Sequence, residues 1–169
     1  TLAGTGNSVV FGGAGGDILT SSGNGIRVLV GGSSNDTYRI TGGINIVVET
    51  AGASDRLEAT GVDINDAGTA ISIIDRTHLF IDDGTTQIIL YNWLTSEGQL
   101  ETFLFEGGES TVTEVIDDFA SLPGFTGDVT WDEVATGLSI PAETLVNFDG
   151  PAVATGSGLE DSIDFIEAN

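Results

Sequence analysis

The stretches GGAGGDILT (residues 12–20) and GGSSNDTYR (residues 31–39) decide the fold, because one repeats the other at an interval of 19 residues. Working outward, Asp17, Asp36 and Asp55 keep that interval, as do Leu19, Tyr38 and Leu57, and Val10, Leu29 and Val48. Gly12 and Gly13 return as Gly31 and Gly32. Self-similarity at a short fixed period predicts stacked coils, each covering the apolar face of its neighbour. The chain therefore begins as a solenoid.

Each period divides into two units of nine. Residues 3–11 read AGTGNSVVF, 12–20 GGAGGDILT, 22–30 SGNGIRVLV, 31–39 GGSSNDTYR, 41–49 TGGINIVVE and 50–58 TAGASDRLE, with Ser21 and Ile40 as single insertions. Every unit reads as a turn followed by a three-residue strand. The sixth position holds Ser8, Asp17, Arg27, Asp36, Ile46 and Asp55 in turn, so an acid stands only in alternate units.

The second and fourth units resemble the nonapeptide Gly-Gly-x-Gly-x-Asp-x-hydrophobic-x of the RTX, or haemolysin-type, calcium-binding repeats. GGAGGDIL is close to it; GGSSNDTY departs at Ser34, where the pattern has glycine; the other four units match poorly. The resemblance implies a parallel β-roll with successive strands on alternate sides and calcium held between turns two units apart. On that reading Asp17, Asp36 and Asp55 line one edge, and Ser8, Arg27 and Ile46 line the other.

The chemistry of such a turn stands without the family. Calcium takes six to eight oxygens at about 2.3–2.6 Å from carboxylates and carbonyls. Glycine permits the positive φ that turns several carbonyls inward, so one aspartate per turn completes half a site. The candidate ligands are Asp17, Asp36 and Asp55 with Gly13, Gly15, Gly31 and Ser33. Calcium is expected between Asp17 and Asp36, and more weakly between Asp36 and Asp55, where residues 50–55 contribute only Gly52.

Composition sets limits on function. In 169 residues there are 26 acids against four basic residues, a formal charge of −22. That balance repels phosphate and argues against nucleic acid or an anionic membrane surface as partner, while it favours cations. Acids crowded on one edge repel until a divalent ion neutralises them, so folding of residues 1–58 is expected to depend on calcium. No cysteine is present, which leaves metal as the available staple. No apolar run is long enough for a transmembrane helix. The chain starts at Thr1 and has no methionine, which reads as a processed product or a piece of something longer.

After residue 58 the texture changes. Residues 59–68, ATGVDINDAG, form a turn-rich bridge, and AISIID, THLFIDD and TQIILYNWL read as antiparallel strands around a DDGT hairpin. QLETFLFEGG and STVTEV add two more. This stretch is similar to the segment that follows the repeats in many haemolysin-type proteins, through Asn92 and Trp93, then Leu100, Glu101, Phe103, Phe105 and Gly107 or Gly108. Its implied role is to cap the solenoid, with Trp93, Phe80, Phe103 and Phe105 as cover. A carbohydrate-stacking platform is the rival use of these rings. Farther on, FASLPG predicts a short helix ended by Pro123, and Thr130 with Glu133 predicts a capping box. Pro141–Asn147 reads as helix or strand, DGPAVATGSG as a linker, and GLEDSIDFIEAN is compatible with a C-terminal export signal.

The organisation expected is thus a calcium-binding β-roll at 1–58, a β-rich cap at 59–115 and a mixed region with a few short helices at 116–169. Catalysis is not expected. His78 is the only histidine, read as a surface or cap residue, and no zinc pair, nucleophile elbow or phosphate loop occurs. The functional expectation is a secreted, calcium-binding structural or surface module, exported by a type I route and able to join a homo-oligomer or larger extracellular assembly. The alternatives are the noncatalytic secretion and folding module of a type I-secreted enzyme, or a carbohydrate-binding module.

Overall fold

Glycine-rich turns chop the aliphatic runs into short strands, and pairing between distant strands assembles them. The structure is a computed structural model describing residues 1–4, 6–95, 100–111 and 119–140, with the side chains of 109–111 left aside. The repeats supply β1 (Leu2–Gly4), β2 (Ser8–Ala14), β3 (Ile18–Ser21), β4 (Ile26–Ser33), β5 (Thr37–Ile40), β6 (Gly43–Val48) and β7 (Arg56–Ala59). The rest supplies β8 (Ala70–Ile74), β9 (His78–Asp82), β10 (Thr86–Tyr91), β11 (Thr102–Phe105), β12 (Gly108–Thr111) and β13 (Phe125–Val129). A 3-10 turn at Phe119–Ser121 precedes β13, and helix α1 (Trp131–Leu138) follows it. The protein is mainly β.

Odd and even strands of the repeats separate into two sheets. One runs β1-β3-β5-β7-β11-β12, the other β13-β8-β9-β10-β6-β4-β2. All pairs within the repeats are parallel, while β8, β9 and β10 are antiparallel and make the second sheet mixed. The later strands do not stand apart: β10 pairs parallel with β6, and β11 pairs parallel with β7. Both sheets therefore run on past residue 58.

The main core lies between the sheets. Leu19, Tyr38, Leu57 and Phe103 from one meet Val10, Leu29, Val47 and Leu90 from the other, all buried. Such burial contributes roughly 1.5–3 kcal/mol per large apolar side chain and is the main source of cohesion. A second cluster covers the other face of the mixed sheet, where Val28, Ile46, Ile89 and Phe80 pack with Trp131, Val134 and Ala135 of α1. The expected capping box is present: Thr130 Oγ1 accepts from Glu133 N–H, and the Glu133 carboxylate accepts from Thr130 N–H.

Two expectations about the repeat are corrected. The even strands are six to eight residues long, because the glycine pairs join the ladder, Gly13 beside Gly32 and Ala14 beside Ser33. The offset between β4 and β6 is also 18 residues, not 19: Arg27 faces Asn45 and Leu29 faces Val47. Between paired residues, the stretch from Ile40 to Ile44 is one residue shorter than that from Ser21 to Ile26, and a one-residue slip exchanges the two faces of a strand. Val47 thus takes the core place expected for Val48, and Asn45 takes the edge place expected for Ile46.

The three-strand reading of residues 70–94 holds closely, and FASLPG forms the 3-10 turn at its expected position. Asn92 adopts a left-handed φ of 55°, a conformation Asn tolerates better than most residues, and this bend drops Trp93 fully into the core against the edge of Phe103. Residues 112–118, Pro141–Asn147, the DGPAVATGSG linker and the GLEDSIDFIEAN terminus lie outside the described residues. Among the described residues no helix is long and apolar enough to cross a membrane.

Candidate metal centre

Each coil ends its turn with an acid just before an odd strand, and parallel stacking places those acids in one column. Thr37 pairs with Arg56 and Arg56 with Thr102, so the residues immediately before them, Asp36, Asp55 and Glu101, stack as well. The column is bonded along its length. Asp17 N–H donates to Asp36 Oδ1, Asp36 N–H to Asp55 Oδ1, and Asp55 N–H to Glu101 Oε2, each at 2.7 Å.

That ladder uses one oxygen of each carboxylate. The other oxygens, Asp36 Oδ2 and Asp55 Oδ2, are buried and have no hydrogen-bond partner, although Asp36 is only 1% exposed and Asp55 0%. An unpaired buried carboxylate oxygen forfeits hydration with nothing in return. Glu49 completes the cluster: one ligand oxygen from each of Asp36, Glu49 and Asp55 lies within 4.8 Å of the others. Three oxygens within that spacing stand no more than about 2.8 Å from a common centre, close to the 2.3–2.6 Å at which calcium holds its oxygens. The donor set, three hard carboxylates without nitrogen or sulfur, fits a hard divalent ion.

Glu49 is held by the strand end that carries it. Its Oε1 accepts from Thr50 N–H at 2.7 Å and Ala51 N–H at 3.0 Å, and its Oε2 from the Tyr38 hydroxyl at 2.6 Å. The 18-residue offset, seen at Val30 with Val48 and again at Ser33 with Ala51, puts Glu49 beside Gly31. Only glycine leaves room there. A Cβ on Gly31 would strike the Tyr38 hydroxyl and stand 2.6 Å from Asp36 Oδ2 and 2.7 Å from Glu49 Oε2.

The electrostatics follow from crowding like charges in a dry place. Burial, opposed by the Asp36 N–H bond and reinforced by the charges of Glu49, Glu101 and Asp36, pushes Asp55 up to about 6. Burial likewise raises Asp36 and Glu49, partly offset by their hydrogen bonds. Tyr38 is raised by burial first and by the Glu49 charge second, so it stays a donor.

Of the residues singled out in the sequence, the structure gathers Asp36, Asp55 and Gly31. Asp17 is half-buried and joins through its N–H rather than through the triad. Gly13 and Ser33 lie at the exposed ends of β2 and β4 and Gly15 in the exposed turn after β2, where its N–H donates to Ser33 C=O. Sequence reading missed Glu49 and Glu101 as site residues. Counting from β4 with the shorter offset exposes Glu49 as the acid in the Gly12–Gly31 column; Glu101 needs the long-range pairing of β11 with β7.

His78 is not at the surface. It is 2% exposed, stacks on Tyr91 with ring centres 4.5 Å apart, lies near Trp131, and accepts from Asn92 N–H through Nδ1 at 2.7 Å. Burial lowers it to about 4, against the opposing pull of Asp75, so it is neutral and structural. Trp93 and Trp131 are buried too, and present no open ring face for a sugar. No protein-family model matches the chain, and no curated protein matches it significantly.

Proposed function

We propose that the chain is a calcium-binding module in which the ion is clamped between successive coils at Asp36, Glu49 and Asp55, with Asp17 and Asp36 framing a second, outer position. The observation that carries this reading is the pair of buried, unpartnered oxygens, Asp36 Oδ2 and Asp55 Oδ2, facing a third carboxylate. A divalent cation supplies what those oxygens lack and cancels their repulsion. The 19-residue parallel register and the alternation of strands between sheets support a short β-roll of the RTX kind as the frame.

On this reading the protein is a noncatalytic, extracellular structural or surface-associated component. Export by a type I route suits it, because scarce cytoplasmic calcium leaves the acidic column repelling itself, and millimolar external calcium closes it. Calcium affinity is expected in the range of roughly 10⁻⁴–10⁻³ M usual for extracellular modules. Calorimetric titration with calcium, with circular dichroism before and after chelation, tests the proposal. Ion binding with a gain of β signal is the expected result. Absence of heat, with identical spectra and melting in chelator and in millimolar calcium, overturns it.

A further inference from the structure

Opposite the acidic column, the even strands begin at a second set of turns, and their register sets Ser8, Arg27 and Asn45 in line. Arg27 is completely buried there, beneath turn residues 22–24 that are exposed. Its guanidinium has five N–H donors, and every one is engaged. Nη1 donates to Gly6 C=O and Asn24 C=O, both at 3.1 Å; Nη2 donates to Gly23 C=O at 2.6 Å and Gly42 C=O at 2.8 Å. Nε donates to Ser21 Oγ and, at 3.4 Å, to Asn45 Oδ1.

Six oxygens from three successive coils therefore converge on one positive group, and no carboxylate is among them. Peptide carbonyls turned inward around a cation make the same kind of cage that a hard metal ion takes. Asn45 braces it, donating through Nδ2 to Gly42 C=O, Gly43 C=O and Gln87 C=O. Glycine is demanded around it: a Cβ on Gly43 would strike the Arg27 guanidinium.

We propose that this edge is a cation site whose occupant is the chain's own Arg27 guanidinium, so that one edge of the stack is locked without dissolved metal and only the acidic edge responds to it. Arginine suits the place better than lysine. Its planar fork reaches carbonyls of three coils at once, whereas an ammonium offers three donors at a single point.

The test is hydrogen exchange of the full chain in chelator. The reporters are Thr41 N–H, bonded to Ser21 C=O, and Ile44 N–H, bonded to Gly25 C=O. Both are expected to stay protected in the wild type. Arg27→Met is expected to lose about 100-fold in protection at both, because several buried carbonyls lose their donors, and Arg27→Lys about tenfold. Unchanged protection in Arg27→Met, or unprotected reporters in the wild type, overturns the proposal.

Should Arg27→Met fail to fold, the wild type alone decides. The Arg27 side-chain N–H signals in a nuclear magnetic resonance spectrum recorded in chelator are expected to be resolved and slow to exchange, and fast exchange refutes the cage. None of these readouts depends on calcium binding at Asp36 and Asp55. If the acidic edge binds no ion, Thr37 and Arg56 amides will be indifferent to calcium while the Arg27 result stands on its own.

Discussion

The two edges of the stacked sheets solve the same problem with opposite charge. On one, backbone turns deliver a column of carboxylates with two oxygens left unpaired; on the other, they deliver a cage of carbonyls already filled by Arg27. The comparison teaches that a turn's conformation alone does not decide the charge at its centre. The sixth residue of the unit does: aspartate leaves a deficit of positive charge, and arginine supplies it.

The largest effect that would break this comparison is expected from Gly31→Ala. Its methyl would intrude on Tyr38, Asp36 and Glu49 together, so the acidic edge should lose about 3 kcal/mol or more in denaturant unfolding. Gly13→Ala meets nothing within 4 Å and pays only for its φ of 93°, so a loss of about 1 kcal/mol is expected there. Equal losses at the two positions would show that crowding at the acids is not what makes Gly31 necessary.

Next in size is charge removal. Asp55→Asn keeps an oxygen for Asp36 N–H and deletes a buried negative charge, so in chelator at neutral pH it should stabilise the fold by about 1–3 kcal/mol, while the stabilisation by calcium disappears. Asp36→Ala should weaken calcium binding most, because Asp36 faces both proposed positions. Asp17→Ala should remove one ion only. Titration calorimetry of the three variants separates these outcomes.

A third expectation concerns pH without metal. Asp55 has a folded pKa of about 6 against an ordinary 3.8, so stability is fully present below 3.8 and falls as pH rises through 6, by something on the order of 3 kcal/mol. Asp36 and Glu49 add in the same direction. His78 acts oppositely: lowered from 6.5 to about 4, it leaves stability intact above 6.5 and reduces it as pH falls toward 4. The metal-free wild type should therefore lose stability as pH rises from 4 to 6, with His78 offsetting part of the fall. Asp55→Asn should flatten the profile, and His78→Phe should steepen it. Parallel profiles for all three proteins would contradict the assignment.

The smallest effect is expected on the outer face of the all-odd sheet and its β12 partner. Arg39, almost half exposed, pairs with Glu58 at 2.6 Å. Arg39→Ala should shift stability by no more than about 0.5 kcal/mol, since exposed ion pairs are screened and entropically taxed. A large loss in thermal unfolding would mean that this exposed face holds the stack together alongside the core and the two edges.

Much of the architecture was legible from residue spacing. The period of 19, the glycine pairs and the alternation of acids place Asp17, Asp36 and Asp55 in one column, and the hairpin residues at 70–94 announce their strands. The site was less legible. Glu49 looked like the polar end of a strand because the period was carried through Thr41–Gly43 without the missing residue. Glu101 looked like one member of a capping motif because its partner, Asp55, is 46 residues away. Arg27 looked like a break in the aspartate pattern, because a buried guanidinium is readable only once the carbonyls around it are known.

By itself, then, the amino-acid order determined the turn chemistry and which side chains recur, since glycine, aspartate and branched apolar residues act locally and at a fixed interval. Tertiary structure decided which acids meet, how Glu49 and Glu101 join them, and what fills the opposite edge. Those depend on the offset between neighbouring coils and on pairing across long stretches of chain, and both are set by packing between the sheets rather than by any local run of residues.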